Sequence, residues 1–260
     1  DPLWSRGLGD VYKRQMQHTD QSQLDNPAWF ALTSRQQALR QGEGLALRYH
    51  PDVAPFAALR NTTREAFDAL QRLIPPGGQV LLQTLSDVPP VDGLRTETLF
   101  SFFQMVNAAP APDADDGGVL SLRPADSADM LALARQTRPG PFGPRTIETG
   151  RYIGLRQDGR LIAMAGERMR LDGYVEISAV CVDEAHRGRG LAGRLMNVLR
   201  RDIAERGDTA FLHVRDNNVA AIALYERLGF TKRQTFLLHQ IGRQEETPSP
   251  ATPAQTGSSR

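Results

Sequence analysis

Cysteine is almost absent from this chain: Cys181 is the only one in 260 residues. That excludes an internal disulfide and a thiolate metal cluster, and it suits a reducing, cytoplasmic home. Long apolar runs are missing as well. No stretch reaches the length of a membrane-crossing helix, and the N-terminus lacks the basic-then-apolar order of a secretory signal, so no membrane partner is expected. Excess charge of either sign is lacking too. With Lys+Arg 31 against Asp+Glu 30 the net charge is +1, too little for the electrostatic term that nonspecific nucleic-acid binding needs, so no nucleic-acid partner is expected. The histidines show no metal-ligand spacing, and no metal is expected. What is present is an ordinary globular balance, 40% hydrophobic and 23% charged in 28.7 kDa, enough for one large domain or two modest ones.

Composition divides the chain. Trp4 to Gln15 (WSRGLGDVYKRQ) looks like one reading frame of a transposon-type sequencing adaptor, so residues 1–15 are set aside and Met16 is the expected start. Residues 108–118, AAPAPDADDGG, read as a linker between an N-terminal α/β lobe (16–107) and a C-terminal domain (119–242). The Pro-rich stretch 243–260 reads as a disordered tail.

In the N-terminal lobe, helical spacing covers Asn26 to Arg40 and Thr63 to Leu73, and extended segments lie at Leu45–Tyr49, Val80–Thr84 and Leu94–Val106. In the C-terminal domain a strand at Val119–Arg123 precedes a helix that Ser127 can cap. Asp158-Gly159 and Asp172-Gly173 suit tight hairpin turns between Tyr152–Gln157, Arg160–Met169 and Tyr174–Val182. The period then changes: Gly190–Arg206 is helical, Phe211–Val214 extended, Asn218–Leu228 helical and Thr235–Ile241 extended. The expected fold is mixed α/β (α+β), a mostly antiparallel sheet with one β-α-β crossover unit, preceded by a smaller α/β lobe.

The turn between that strand and helix carries the chemistry. Arg187-Gly188-Arg189-Gly190-Leu191-Ala192 places glycines, two arginines and the unpaired N–H groups of a helix start together, a natural seat for a pyrophosphate. A solvated basic turn that only caps the helix is the alternative. A Walker loop is excluded because no Gly-Lys-Ser/Thr follows, and a dinucleotide fingerprint fails for want of the third glycine.

That turn matches the pattern Arg/Gln-x-x-Gly-x-Gly/Ala, and a second motif follows it, Asn218-Val219-Ala220-Ala221-Ile222-Ala223-Leu224-Tyr225-Glu226-Arg227-Leu228-Gly229-Phe230. With both in order the chain resembles the GNAT superfamily of N-acetyltransferases, in its FR47-like branch. The resemblance runs through Pro139–Phe142 and Glu176–Val182, covering about Val119 to Ile241, and Leu24–Trp29 resembles the N-terminal lobe of the same branch. It implies a GNAT-like sheet with a β-α-β acyl-CoA site and acetyl-CoA as cosubstrate. Arg187, Gly188, Arg189, Gly190, Leu191, Ala192 and Asn218 would then bind the cofactor, with main-chain groups of Val180 and Val182 pairing with the pantetheine arm. It also implies that Tyr225 hydrogen-bonds or protonates the CoA sulfur, and that Glu176 is a general base.

The residues themselves leave alternatives open. Tyr225 lies two helical turns after Asn218 and shares its face, but it could equally pack on the buried stripe. Strict alternation puts Glu176, Ser178, Val180 and Val182 on one face and Cys181 on the other, where it is core. A carboxylate among apolar neighbours should have a raised pKa; an exposed strand-end glutamate paired with an arginine is the alternative. His213 is read as a satisfied strand histidine, with assistance to proton transfer as the alternative. On the acceptor side Arg138–Arg145 forms a Pro-punctuated loop, with Phe142 a possible apolar wall and Arg138 or Arg145 a possible partner for an acceptor carboxylate. The expected function is direct acetyl transfer from acetyl-CoA to a primary amine of a small molecule. The alternatives are a noncatalytic acyl-CoA sensor and a protein N-acetyltransferase. The sequence does not fix the oligomeric state.

Overall fold

A computed structural model describes residues 21–110 and 112–244. The expected adaptor segment and nearly all of the expected tail lie outside these residues.

The N-terminal lobe contains α1 (Pro27–Thr33), β1 (Arg40–Gln41), β2 (Ala46–Tyr49), β3 (Phe56–Leu59), α2 (Arg64–Leu73), β4 (Gln79–Thr84) and β5 (Leu94–Asn107). The remainder contains β6 (Leu120–Ser121), α3 (Ser127–Thr137), β7 (Tyr152–Gln157), β8 (Arg160–Leu171), β9 (Tyr174–Val182), α4 (Leu191–Glu205), β10 (Thr209–Arg215), α5 (Val219–Arg227) and β11 (Phe230–Arg243). The strands form one 11-stranded sheet in the order β1-β2-β3-β4-β11-β5-β10-β9-β8-β7-β6. This is the expected mixed α/β fold with a mostly antiparallel sheet. Among the described strands only β3/β4 and β9/β10 run parallel, and a helix spans each pair, as a crossover requires.

The two lobes exchange their last strands. β5 pairs with β10 and β11, while β11 pairs with β5 and β4. Outward from the central β11/β5 pair, each half of the sheet continues with a parallel crossover pair and then antiparallel hairpins. The described residues of the two expected regions therefore share a single sheet. α4 buries Leu195, Met196, Leu199 and Ile203 against it, each apolar side chain contributing ~1.5–3 kcal/mol.

Several local expectations are corrected. The helix from Asn26 ends at Thr33 because the Thr33 and Ser34 hydroxyls donate to the carbonyls of Trp29 (2.8 Å) and Phe30 (2.6 Å), diverting the backbone ladder. β3 escapes periodicity because its four residues are all buried, leaving no alternation to read. Ser127 makes no cap; it already lies inside α3, and the Asp126 carboxylate instead accepts from Arg123 N (2.8 Å). The strand expected at Val119–Arg123 is only Leu120–Ser121.

The segment read as a linker is held by side chains of α4. Arg200 donates to the carbonyl of Pro110 (3.1 Å), Arg201 to that of Ala114 (2.9 Å) and to Asp116 (3.0 Å), and Arg194 to Asp115 (3.3 Å). The chain thus crosses α4 on a ladder of its arginines.

Candidate active site

β9 ends at Val182, and the Asp183 carboxylate accepts from Ala185 N (3.0 Å) to start the turn. Gly188 and Gly190 then adopt φ values of +76° and +73°, a region that L side chains rarely enter. Gly190 is itself the N-cap of α4, so no side chain satisfies the helix start. As a result the peptide N–H groups from Gly188 to Gly193 donate to no acceptor among the described residues. A Cβ on Gly188 or Gly190 would meet nothing within 4 Å, so the space in front of these donors is open. Arg187 and Arg189 are exposed beside it and form no ion pair among the described residues. Bare donors, a helix dipole and two free guanidinium groups together make an anion cradle.

Next to the cradle the core is unfinished. Val180 and Val182 of β9, Leu191 of α4, and Ala221, Ile222, Tyr225 and Leu228 of or beside α5 are only partly buried. α5 has no fully buried residue, despite its apolar sequence. These half-covered side chains of β9, α4 and α5 border one another above the sheet, and we infer a slot among them. At its base, parallel pairing of β9 with β10 spans Tyr174–Glu176 against Thr209–Phe211 and then stops. Beyond Glu176 the β10-facing edge of β9 has no ladder partner, the arrangement in which an extended ligand can add as a strand.

Tyr225 projects into this slot. Its ring packs edge-on against Phe230 (centroids 6.3 Å apart), and its hydroxyl has no hydrogen-bond partner among the described residues. Burial, helped by the nearby Cys181 thiol, pushes its pKa up to about 12, so the phenol keeps its proton at neutral pH.

Strict alternation along β9 fails, because a bulge intervenes. Met164 pairs with Cys181 and Gly166 with Ser178, leaving an extra residue on β9 where Ala179 has φ +52°. The bulge reverses the phase. Val175 and Ile177, then Val180 and Val182, face α4, whereas Ala179 and Cys181 join the cluster under α3. Val180 and Val182 are thus not on the face of Glu176, and Cys181 is not opposite it. Cys181 is core, its pKa raised to about 11 by burial.

Glu176 requires a second correction. It is 0% exposed, but it is not a lone carboxylate among apolar side chains. Arg168 of β8 donates to it through Nε (2.9 Å) and Nη2 (2.5 Å), and His213 of β10 through Nδ1 (2.7 Å). Desolvation alone would raise its pKa; the Arg168 and His213 contacts outweigh it and hold the value at about 2. The expected raised pKa is therefore overturned; the arginine pairing of the alternative is present, but on a fully buried glutamate and not an exposed one. His213 is a satisfied strand histidine, packed among Phe102, Phe211 and Phe236.

On the opposite face of the sheet, Phe142 packs edge-on against Tyr152 (5.8 Å). Arg145 is engaged by Glu148 (2.7 Å), and the surrounding loop docks on the N-terminal lobe through Arg145 N to Asp52 O (3.0 Å) and Thr146 Oγ1 to Val53 O (2.6 Å). Asn218 caps α5, its side-chain oxygen accepting from Ala221 N (3.2 Å). A groove of about 780 Å³ beside α2, lined by Leu45, Ala69 and Leu73, holds none of these residues. Among the described residues no group of His, Cys, Asp or Glu could hold a metal ion, and no helix is long and apolar enough to cross a membrane.

Comparison with known proteins agrees with this geometry. The FR47-like protein model matches residues 152–238. A GNAT-family structure from Novosphingobium aromaticivorans superposes with a TM-score of 0.80 at 37% identity, covering 85% of this chain and 99% of that one. The chain belongs to the GNAT acetyltransferase family. Two further relatives of this GNAT protein differ in what they cover. N-alpha-acetyltransferase RimI of Mycobacterium tuberculosis is 40% identical over 84 residues, 31% of this chain and 52% of the relative. Mycothiol acetyltransferase of Thermomonospora curvata is 29% identical over 197 residues, 74% of this chain and 61% of the relative. The chain thus spans between half and two thirds of these two relatives.

GNAT acetyltransferases use acetyl-CoA, and the cradle and slot fit its diphosphate and extended arm. Val180, Val182, Leu191 and Tyr225 all pack at the border of one apolar cluster, with the glycine turn immediately before Leu191, whereas Phe142 packs in the separate cluster under α3. Sequence reasoning missed Arg168 and Gln104. Arg168 carried a signal, as an arginine that with Glu167 follows the apolar run Leu161–Gly166 inside one strand pattern, where a buried cation needs a carboxylate partner.

Proposed function

We propose that this GNAT protein transfers an acetyl group from acetyl-CoA to a primary amine of a small molecule by direct attack. The observation that carries this reading is the run of unpartnered N–H groups from Gly188 to Gly193, opening onto a slot that holds the unpartnered Tyr225 hydroxyl. In this reading the cradle, with Arg187 and Arg189, takes the diphosphate, Leu191 and Ala192 border it, and Asn218 keeps α5 in place beside the arm. Val180 and Val182 offer main-chain groups to the pantetheine. The amine nitrogen bonds to the acetyl carbon as the carbon–sulfur bond breaks, Tyr225 gives its proton to the departing thiolate, and the amine loses its own proton to solvent.

Two residues take modified parts. Glu176, ionised and bound to Arg168 and His213, acts as a fixed anion where β9 and β10 part, not as a free base. A protonated, buried Cys181 is unsuited to carry an acyl group, which supports transfer without an acyl-enzyme. Phe142 borders the acceptor, and Arg145 reaches an acceptor carboxylate only by leaving Glu148.

A small acceptor is supported by the docking of the N-terminal lobe over the acceptor face and by the relative named for mycothiol, whose match over 74% of this chain extends into that lobe. The higher identity to RimI, 40% over 84 residues, favours a protein amine as the second reading. Thiol release from acetyl-CoA over a panel of small amines and peptides tests both. Turnover with a small amine, lowered about 10²-fold in kcat by Tyr225→Phe at unchanged acetyl-CoA affinity, is the expected result. Preference for peptides would select the second reading, and binding without thiol release would leave a noncatalytic sensor.

A further inference from the structure

A row of polar side chains crosses the buried face of the sheet on consecutive strands: Arg233 on β11, Gln104 on β5, His213 on β10, Glu176 on β9 and Arg168 on β8. Each touches the next. Arg233 Nη1 donates to Gln104 Oε1 (2.9 Å), Gln104 Nε2 lies 3.2 Å from His213 Nε2, and His213 and Arg168 both donate to Glu176. Both terminal arginines sit at β-bulges, Arg233 between Lys232 and Gln234, and Arg168 between Glu167 and Arg170. A bulge re-aims the side chain that alternation would have sent elsewhere.

The partners also assign the imidazole tautomer. Gln104 is oriented from both ends, its amide group donating to Leu24 O (2.8 Å) and its oxygen accepting from Arg233, so it presents an N–H to His213 Nε2. Nε2 therefore carries the lone pair and Nδ1 the proton that Glu176 accepts. Arg233 extends the row to Asp25 (2.7 Å) and to the carbonyl of Gln21 (2.8 Å), in the first described segment of the N-terminal lobe.

The position of one link is what matters. Backbone pairing of β9 with β10 ends at Glu176/Phe211, and the Glu176–His213 hydrogen bond closes the gap immediately beyond that last pair. We propose that His213 is a positioning residue for acetyl transfer: its link to Glu176, braced through Gln104 and Arg233 by the N-terminal lobe, fixes the opening between β9 and β10 in which the acyl-pantetheine lies. This rests on the acetyl-CoA reading above. It gives the N-terminal lobe a task, to hold the slot to one width. The cradle lies at the far end of β9 and does not depend on the row.

That separation supplies the test. Titration calorimetry would compare acetyl-CoA with the nucleotide fragment of CoA that ends at its diphosphate, on wild type, His213→Phe, His213→Gln and Gln104→Met. His213→Phe keeps an aromatic among Phe102, Phe211 and Phe236 but breaks both hydrogen bonds. It is expected to bind acetyl-CoA about tenfold more weakly and the fragment unchanged. His213→Gln can donate to Glu176 and accept from Gln104, and should stay within about threefold of wild type for both ligands. Gln104→Met cuts the brace alone and should weaken acetyl-CoA binding selectively, so the test stands even if His213→Phe fails to fold. Equal affinities in all variants, or parallel losses for both ligands in folded protein, would overturn the positioning role. Wild type that binds neither ligand would instead overturn the donor assignment, and this inference with it.

Discussion

Removing the guanidinium of Arg168 should expose how much of the fold depends on one buried ion pair. Its side chain is 11% exposed and that of Glu176 0%, so truncation as Arg168→Met strands a carboxylate that water cannot reach. Breaking a buried pair from one side costs about 3–5 kcal/mol. The lowered pKa of Glu176 gives a second figure. Its pKa is about 2 in the fold against an ordinary 4.5, and at ~1.4 kcal/mol per pH unit the difference is worth about 3 kcal/mol. Because the folded value is the lower one, this stabilisation is complete above about pH 4.5 and is lost as pH falls through about 2. Urea unfolding at neutral pH should show Arg168→Met losing about 3–5 kcal/mol, a large part of the ~5–15 kcal/mol that holds a domain together. Glu176→Gln should also be costly, since it leaves Arg168 unpaired, and the double variant should lose less than the sum of the two by about 3 kcal/mol. A loss below about 1 kcal/mol for Arg168→Met, or strict additivity, would refute the claim that the pair acts as a unit.

Gly190→Val should leave a folded protein, destabilised by about 1–2 kcal/mol from the forced positive φ, while calorimetry shows acetyl-CoA binding lost; full affinity would remove the cradle from the donor site. Gly166→Ala should cost about 1–3 kcal/mol, because a Cβ there would lie 2.1 Å from the Tyr152 ring, and an unchanged melting temperature would contradict that packing. Arg201→Ala removes contacts to Ala114 and Asp116, so limited proteolysis within residues 108–118 should accelerate; an unchanged rate would mean that the segment is not held by α4. With the Tyr225 phenol at about 12, kcat should show no loss from its ionisation up to about pH 11, and a fall near pH 10 would place the hydroxyl in water instead.

The cradle was readable because its chemistry is local. Glycines at positive φ, a helix start and two arginines are fixed by a few adjacent residues, and the Asp158-Gly159 hairpin follows from the same kind of information. β3 was not readable, since a strand buried on both faces has no alternation, and the docking of residues 108–118 depends on arginines of α4 far along the chain.

The faces of β9 depended on something that no period reports. One extra residue near Ala179 exchanged the sides of Val180, Val182 and Cys181, because a pleat of period two transmits a single insertion to every residue beyond it. The pKa of Glu176 was decided by Arg168 and His213, on strands that only the sheet makes its neighbours. Sequence alone determined most of the C-terminal elements, the glycine turn before α4 and the family, for these rest on short-range backbone preferences and contiguous motifs. The exchange of β5 and β11, and the polar row that it lays under the slot, came from strand order, which long-range pairing sets and no window of sequence contains.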